Sequence, residues 1–277
     1  MKIYGFADEA SSQLDGQIQA LLRNGLDGLE VRGVNGANIS DISLEDAAKA
    51  REQLVKAGLS VWSVGSPIGK INIVGDDYQA HLEKFRHTLE VAKVLGAENI
   101  RIFSFYMPEN ESYSQYREEV IFRLKELVSI AEDTGIALCH ENEKGIYGDN
   151  AQRCLELYQA VPELKGVFDP ANFLQCGQDT LEAWEMLRPY TKYLHIKDVR
   201  FDGKIVPAGE GDGNIPVILK EYLKQGGTAV TVEPHLAVFD GLAGLEQSGN
   251  TSEVGSYTYA SSDVAFDAAC EALKKIL

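Results

Sequence analysis

Residues 20–31, ALLRNGLDGLEV, decide how the chain is read. A helical run ends at Gly25, and an apolar strand starts directly after it. Glycine just past a helix relieves the left-handed turn that ends it. The phrase returns as QLVKAGLSVWSV (53–64), AKVLGAENIRIF (92–103) and IAEDTGIALCHE (130–141), with Gly58, Gly96 and Gly135 in the same role. Looser copies are VPELKGVFD (161–169) at Gly166 and YLKQGGTAVTVE (222–233) at Gly226 and Gly227. Each copy is one βα unit. Strands are expected near residues 2–7, 27–32, 59–65, 98–105, 136–142, 165–169, 192–197 and 228–234. Helical patterns lie between them; in HLEKFRHTLEVAKVL, Leu82, Phe85, Leu89 and Val94 fall near helical spacing. Strands alternating with helices imply a parallel sheet. Eight units imply closure, so the expected fold is α/β, a single (β/α)8 TIM barrel spanning residues 1–277. No GxGxxG follows the first strand, which removes the main support for a dinucleotide-binding sheet. The polar, Gly-rich run at 237–262 is expected to be a long loop bordering the active site, with a final helix beyond it.

A length of 277 residues suits one such barrel, and 44% apolar content suffices for its core. No run of 18 apolar residues appears, so no membrane span is expected. The start, MKIYGFADEA, lacks the pattern of a signal peptide. A net charge of −16 argues against nucleic acid and anionic membrane surfaces as partners. The four cysteines, Cys139, Cys154, Cys176 and Cys270, form no CxxC pair, and a chain this long needs no disulfide staples; a reducing cytoplasm is the expectation. Cys139 falls in an apolar strand and reads as core filler.

Four short runs in the second half each carry a metal-seeking side chain at a strand end: CHENE (Glu141), VFDPAN (Asp169), LHIKD (His195) and VEPHL (Glu233). Three carboxylates and one imidazole suit a single divalent cation such as Mn²⁺, Zn²⁺, Co²⁺ or Mg²⁺. Strand residues alternate sides. Tyr193, His195 and Lys197 therefore share a face, as do Thr231, Glu233 and His235. Cys139, Glu141 and Glu143 oppose Leu138 and His140. Glu30 and Arg32 lie on one face of strand 2, and Arg101, Phe103 and Phe105 on one face of strand 4. The polar faces are expected to point into the barrel at the C-terminal ends of its strands. Buried carboxylates facing one another repel, and a divalent cation resolves that conflict. The alternative is four unrelated ion pairs.

With these residues in view, the chain resembles the xylose isomerase-like TIM-barrel proteins, the sugar-phosphate isomerase and epimerase group. Its relatives include ketose 3-epimerases, inosose dehydratase and endonuclease IV-type enzymes. The resemblance rests on Glu141-Asn142, the D-P-x-N at 169–172, the H-x-K-D at 195–198, the PAGEGDGN loop at 207–214 and the E-P-H at 233–235. It implies that Glu141, Asp169, His195 and Glu233 bind one divalent metal, with Glu143 as a substitute for Glu141 or a substrate contact. It further implies that Glu141 and Glu233 form the acid/base pair, acting from opposite faces of the substrate. Two departures bear on the substrate. Many relatives carry His where this chain has Asn172, and epimerases often carry an Arg where it has Phe201, beside Arg200.

The implied activity is a metal-dependent isomerase or epimerase acting on a ketose or sugar (phosphate)-like polyol, by proton transfer α to a carbonyl through a metal-stabilised enediolate. A dehydratase (lyase) acting on an inosose-type cyclic ketopolyol uses the same residues, and a non-catalytic sugar-binding barrel is a further alternative. A trinuclear endonuclease site needs several histidines beyond the four-residue set; of the five present, His81 and His87 lie in a helical pattern and His140 faces outward, which leaves only His195 and His235. Lys197 is expected to hold a hydroxyl or an oxyanion, or else to be a surface lysine paired with Asp198. His235 binds substrate, orients Glu233 or is a plain loop residue. Lys70, in SPIGK, contacts a phosphate or acidic group, or is solvated. Arg101 is a partner of Glu141 or an interior ion pair. Asn172 and Glu143 complete the substrate-binding set. Trp62, Phe103 and Tyr106 form an apolar wall for a sugar ring, or are core. Many barrels of this kind pair through loops and helices, which leaves a homo-oligomer open.

Overall fold

The structure is a computed structural model and describes residues 1–239 and 258–277. Eight parallel strands close into a barrel: β1 (Lys2–Gly5), β2 (Gly28–Val31), β3 (Ser60–Gly65), β4 (Asn99–Ile102), β5 (Ala137–Glu141), β6 (Lys165–Phe168), β7 (Thr191–Ile196) and β8 (Ala229–Val232). Closure is direct: Gly5 pairs with Val232 on one side of β1 and with Leu29 on the other. Helices α1 (Leu14–Arg23), α2 (Leu44–Lys56), α3 (Tyr78–Leu95), α4 (Arg117–Ala131), α5 (Ala151–Ala160), α6 (Pro170–Gln175), α7 (Thr180–Leu187), α8 (Ile215–Lys224) and α9 (Ser262–Ile276) follow the strands. The expected strands are present; seven are shorter than expected, and β7 keeps its length but starts one residue earlier. The expected final helix is α9. Most of the expected loop at 237–262 lies outside the described residues.

Alternation along the strands separates two environments. Leu29, Val64, Ile100, Leu138, Leu194 and Val230 point outward and pack on the helices. Tyr4, Trp62, Cys139, Val167, Tyr193 and Ala229 point inward and fill one apolar layer of the barrel. Above that plug the interior turns polar, with Glu30, Ser63, Arg101, Glu141, His195 and Thr231 all buried. A parallel barrel is hydrogen-bonded edge to edge, so its inward side chains meet one another rather than water.

Local chemistry sets several boundaries. Ser43, Asp77, Asn150, Asp179 and Ser261 each cap a helix through the side chain. Gly28 is required by close approach: a Cβ there would lie 1.9 Å from the Ser60 carbonyl oxygen. Among the described residues, no helix is long and apolar enough to cross a membrane.

Candidate active site

Glu141 ends β5, and Asp169 follows β6 directly. His195 is the penultimate residue of β7, and Glu233 follows β8. All four are buried, and one ligand atom from each lies within 4.8 Å of the others. The local sequence explains Asp169: it is the N-cap of α6, its Oδ1 accepts the Asn172 N–H at 3.0 Å, and Pro170 begins the helix. Its other oxygen, Oδ2, accepts no hydrogen bond, and the Lys197 ammonium lies 2.8 Å away.

His195 is the hub. Its Nδ1 lies 3.0 Å from Glu141 Oε1 and 3.3 Å from Glu233 Oε2, and its Nε2 lies 3.0 Å from Glu30 Oε2. Burial opposes charging this ring, yet Glu141 and Glu30 outweigh it and hold the imidazole well above its ordinary range. Burial would likewise raise the Glu141 carboxyl, but His195 and Arg101 beside it hold it at about 2. Glu233 is also held well below the usual carboxylate range: burial opposes, and the Lys197 ammonium and the His195 hydrogen bond prevail. Asp169 goes the other way. Burial, aided by Glu233 and Glu141, pushes it up to about 7 against the pull of Lys197.

The remaining expected residues gather around this cluster. Arg101 Nη1 donates to Glu141 Oε2 at 2.9 Å. Lys197 reaches Asp169 and Glu233 (3.3 Å) rather than Asp198, so the reading as a surface lysine paired with Asp198 is overturned. Asp198 faces the other way. Its carboxylate accepts the backbone N–H groups of Val199, Gly209, Gly211 and Gly213. Asn172 Nδ2 donates to the Asn142 carbonyl at 2.9 Å and lies 3.4 Å from Glu141 Oε1. Glu143 stands apart from the four-residue cluster and pairs with Lys70 at 3.3 Å. Lys70 is packed over the Phe103 ring with its side chain 11% exposed, rather than free in solvent; burial lowers its ammonium. His235, at φ 47°, has no hydrogen bond on either ring nitrogen, and its Nε2 lies 3.5 Å from Glu9 Oε1 and 3.7 Å from Glu233 Oε1. Burial holds that imidazole well below its ordinary range.

The expected aromatic wall divides. Phe103 and Tyr106 pack with Ile146 beside Lys70. Trp62 does not join them: it stacks on Tyr4 at 5.3 Å and meets Tyr193 edge-on, inside the apolar plug. His81, His87 and His140 are engaged elsewhere, with Gly69, Ile42 and Ser104 respectively.

Three groups at the site escaped the sequence reading. Phe6 meets His195 edge-on at 5.2 Å and lies between the Arg32 and Arg101 guanidinium groups. Asp8 and Glu9 both bind Arg32, which also reaches Glu233 at 3.3 Å. Burial, against the pull of Arg32, pushes the Glu9 carboxyl up to about 8. The run FADE directly after the first strand was the available signal.

A family model described as Xylose isomerase-like TIM barrel matches residues 18–247. A 3-dehydroshikimate dehydratase of Bacillus anthracis is 21% identical over 184 residues, covering 66% of this chain and 65% of that relative's length. The solved structure of a D-allulose 3-epimerase from Methylomonas sp. in complex with D-allulose superposes with a TM-score of 0.77 at 16% identity, covering 100% of this chain and 97% of that one. The IOLI protein with a binding zinc atom superposes with a TM-score of 0.74 at 18% identity, covering 100% and 98%. With the family model matching most of its length and the barrel closed around the cluster, the chain belongs to the xylose isomerase-like TIM barrel family.

Proposed function

We propose that this chain is an isomerase or epimerase that moves a proton on the carbon next to a carbonyl in a ketose or related polyol. The observation that carries the reading is the meeting of three buried carboxylates and one imidazole within 4.8 Å at the strand ends. That donor set, three carboxylate groups and one imidazole converging at buried strand ends, fits a divalent cation. Glu141, Asp169, His195 and Glu233 would hold the cation. Bound there, it supplies Lewis acidity toward the oxygens of a keto polyol.

The chain's own residues do the rest. Glu141 and Glu233 are both anionic at neutral pH, which fits them to take and return a proton. Lys197, between Asp169 and Glu233, is placed to meet negative charge developing on a substrate oxygen. Phe6 and Phe103, packed against the Arg101 guanidinium, keep that side of the site dry. In this reading Lys70, Glu143, Asn172 and His235 supply hydrogen bonds to substrate hydroxyls.

A panel of free and phosphorylated ketoses and inososes, run in D₂O, tests the reading. Deuterium at the α carbon without loss of water supports it, and Glu141→Gln and Glu233→Gln, assayed at saturating metal, should lose turnover. The dehydratase relative favours a second reading, β-elimination of a hydroxyl after the same proton removal. An unsaturated or diketo product would establish that reading instead. Ligand binding without turnover on the whole panel would leave a sugar-sensing barrel.

A further inference from the structure

Beneath His195, on the side away from Glu141, lies a carboxylate that the proposed chemistry does not use. Glu30 is fully buried in β2. Its Oε1 accepts from Tyr193 Oη at 2.8 Å and from Ser63 Oγ at 3.2 Å. Its Oε2 accepts from Thr231 Oγ1 at 2.8 Å and lies 3.0 Å from His195 Nε2. The four neighbours are three hydroxyls and one ring nitrogen. A carboxylate that already accepts from three hydroxyls has only lone pairs left to offer, so the nitrogen facing it must carry a proton. The other ring nitrogen, Nδ1, then faces Glu141 and Glu233.

We propose that Glu30 is a positioning residue: it holds His195 with Nε2–H toward itself, so that Nδ1 is the nitrogen turned toward the cluster of Glu141, Asp169 and Glu233 and offered to a cation there. The inference rests on the reading of that cluster as a cation site. A histidine ligand is oriented by whatever accepts the proton on its other nitrogen, and such partners set metal affinity through the ring they hold. The hydroxyls of Tyr193, Ser63 and Thr231 in turn fix the carboxylate. Each comes from a different barrel strand, so the ring is aimed by the barrel wall rather than by a loop.

The test uses the full chain and zinc, read by ¹⁵N NMR of the histidine rings and by calorimetric titration. In zinc-loaded wild type, His195 should show its proton on Nε2 and a metal-shifted Nδ1. Glu30→Gln should weaken zinc binding roughly 10- to 100-fold. Thr231→Val, which leaves Glu30 in place and threatens the fold less, should weaken it roughly 2- to 10-fold, the worth of one hydrogen bond. A proton on Nδ1, or zinc affinities within about twofold of wild type in both folded variants, overturns the inference and leaves the cation site standing. A wild type that takes up no zinc and no other divalent cation sinks the cation site and the inference with it.

Discussion

Lys197 Nζ lies 2.8 Å from Asp169 Oδ2, an oxygen that accepts no hydrogen bond. The ammonium also reaches Glu233 at 3.3 Å, so a single buried cation serves two of the four clustered residues. The two carboxylates follow β6 and β8, the strands that flank β7, and Lys197 follows β7 between them.

Lys197→Met removes that cation and leaves its partners buried. Stranding a buried charge costs about 3–5 kcal/mol. Chemical denaturation in the presence of a chelator should show a loss of that order. Added Mn²⁺ should recover most of it, by supplying charge at the same oxygens. Equal losses with and without Mn²⁺ would separate Lys197 from the cluster.

Chelation of the wild type should lower stability reversibly. A cation present at 100 times its dissociation constant stabilises the native state by about 2.7 kcal/mol. Thermal unfolding before and after treatment with a chelator, and after addition of Mn²⁺ or Zn²⁺, measures this directly. A melting temperature indifferent to both treatments would argue against the cation site.

Asp198 holds the 207–214 loop by three backbone N–H groups, those of Gly209, Gly211 and Gly213, and an added Cβ on Gly211 would lie 2.4 Å from its Oδ1. Asp198→Ala should cost about 2–4 kcal/mol, because several amides lose a charged acceptor. The loop should become sensitive to limited proteolysis while the barrel remains intact. Gly211→Ala should act in the same direction, through the clash. Cleavage no faster than in wild type would show that the loop is held by other contacts.

His81 sets an acid limit on stability. It accepts the Gly69 N–H at 2.8 Å, and burial lowers its imidazole from 6.5 to about 4. Below pH 6.5 the unfolded chain takes up a proton that the folded chain refuses until about pH 4. Stability from this residue is therefore full above pH 7 and falls through that window, by at most about 3 kcal/mol. His81→Gln, compared with wild type by urea denaturation at neutral and mildly acid pH, should lose less on acidification. Parallel losses in the two proteins would refute the assignment.

The repeat of helix, glycine and strand was legible because it follows from local rules. Periodicity, caps and left-handed glycines act within a few residues. The four clustered residues were legible for a related reason. Alternation along one strand assigns Glu141, His195 and Glu233 to the inner face whatever the neighbouring strands do. Trp62 shows the limit of that reasoning. It was grouped with Phe103 and Tyr106 as a wall or as core, but its height in the barrel depends on strand stagger, and it fell in the plug beneath the site.

Side-chain partners were a different matter. Lys197 stands next to Asp198 in sequence, yet pairs with Asp169 and Glu233, because adjacent strand residues point to opposite sides of the sheet. Glu9, Arg32 and Phe6 converge on Glu233 and His195 across the β1–β8 seam, the longest sequence separation in the barrel. The sequence alone determined the βα repeat, the strand count and the chemical types that line the interior, since these depend on near neighbours. Closure and stagger decided which of those side chains touch, because ion pairs and hydrogen bonds act over a few ångströms between residues far apart in the chain.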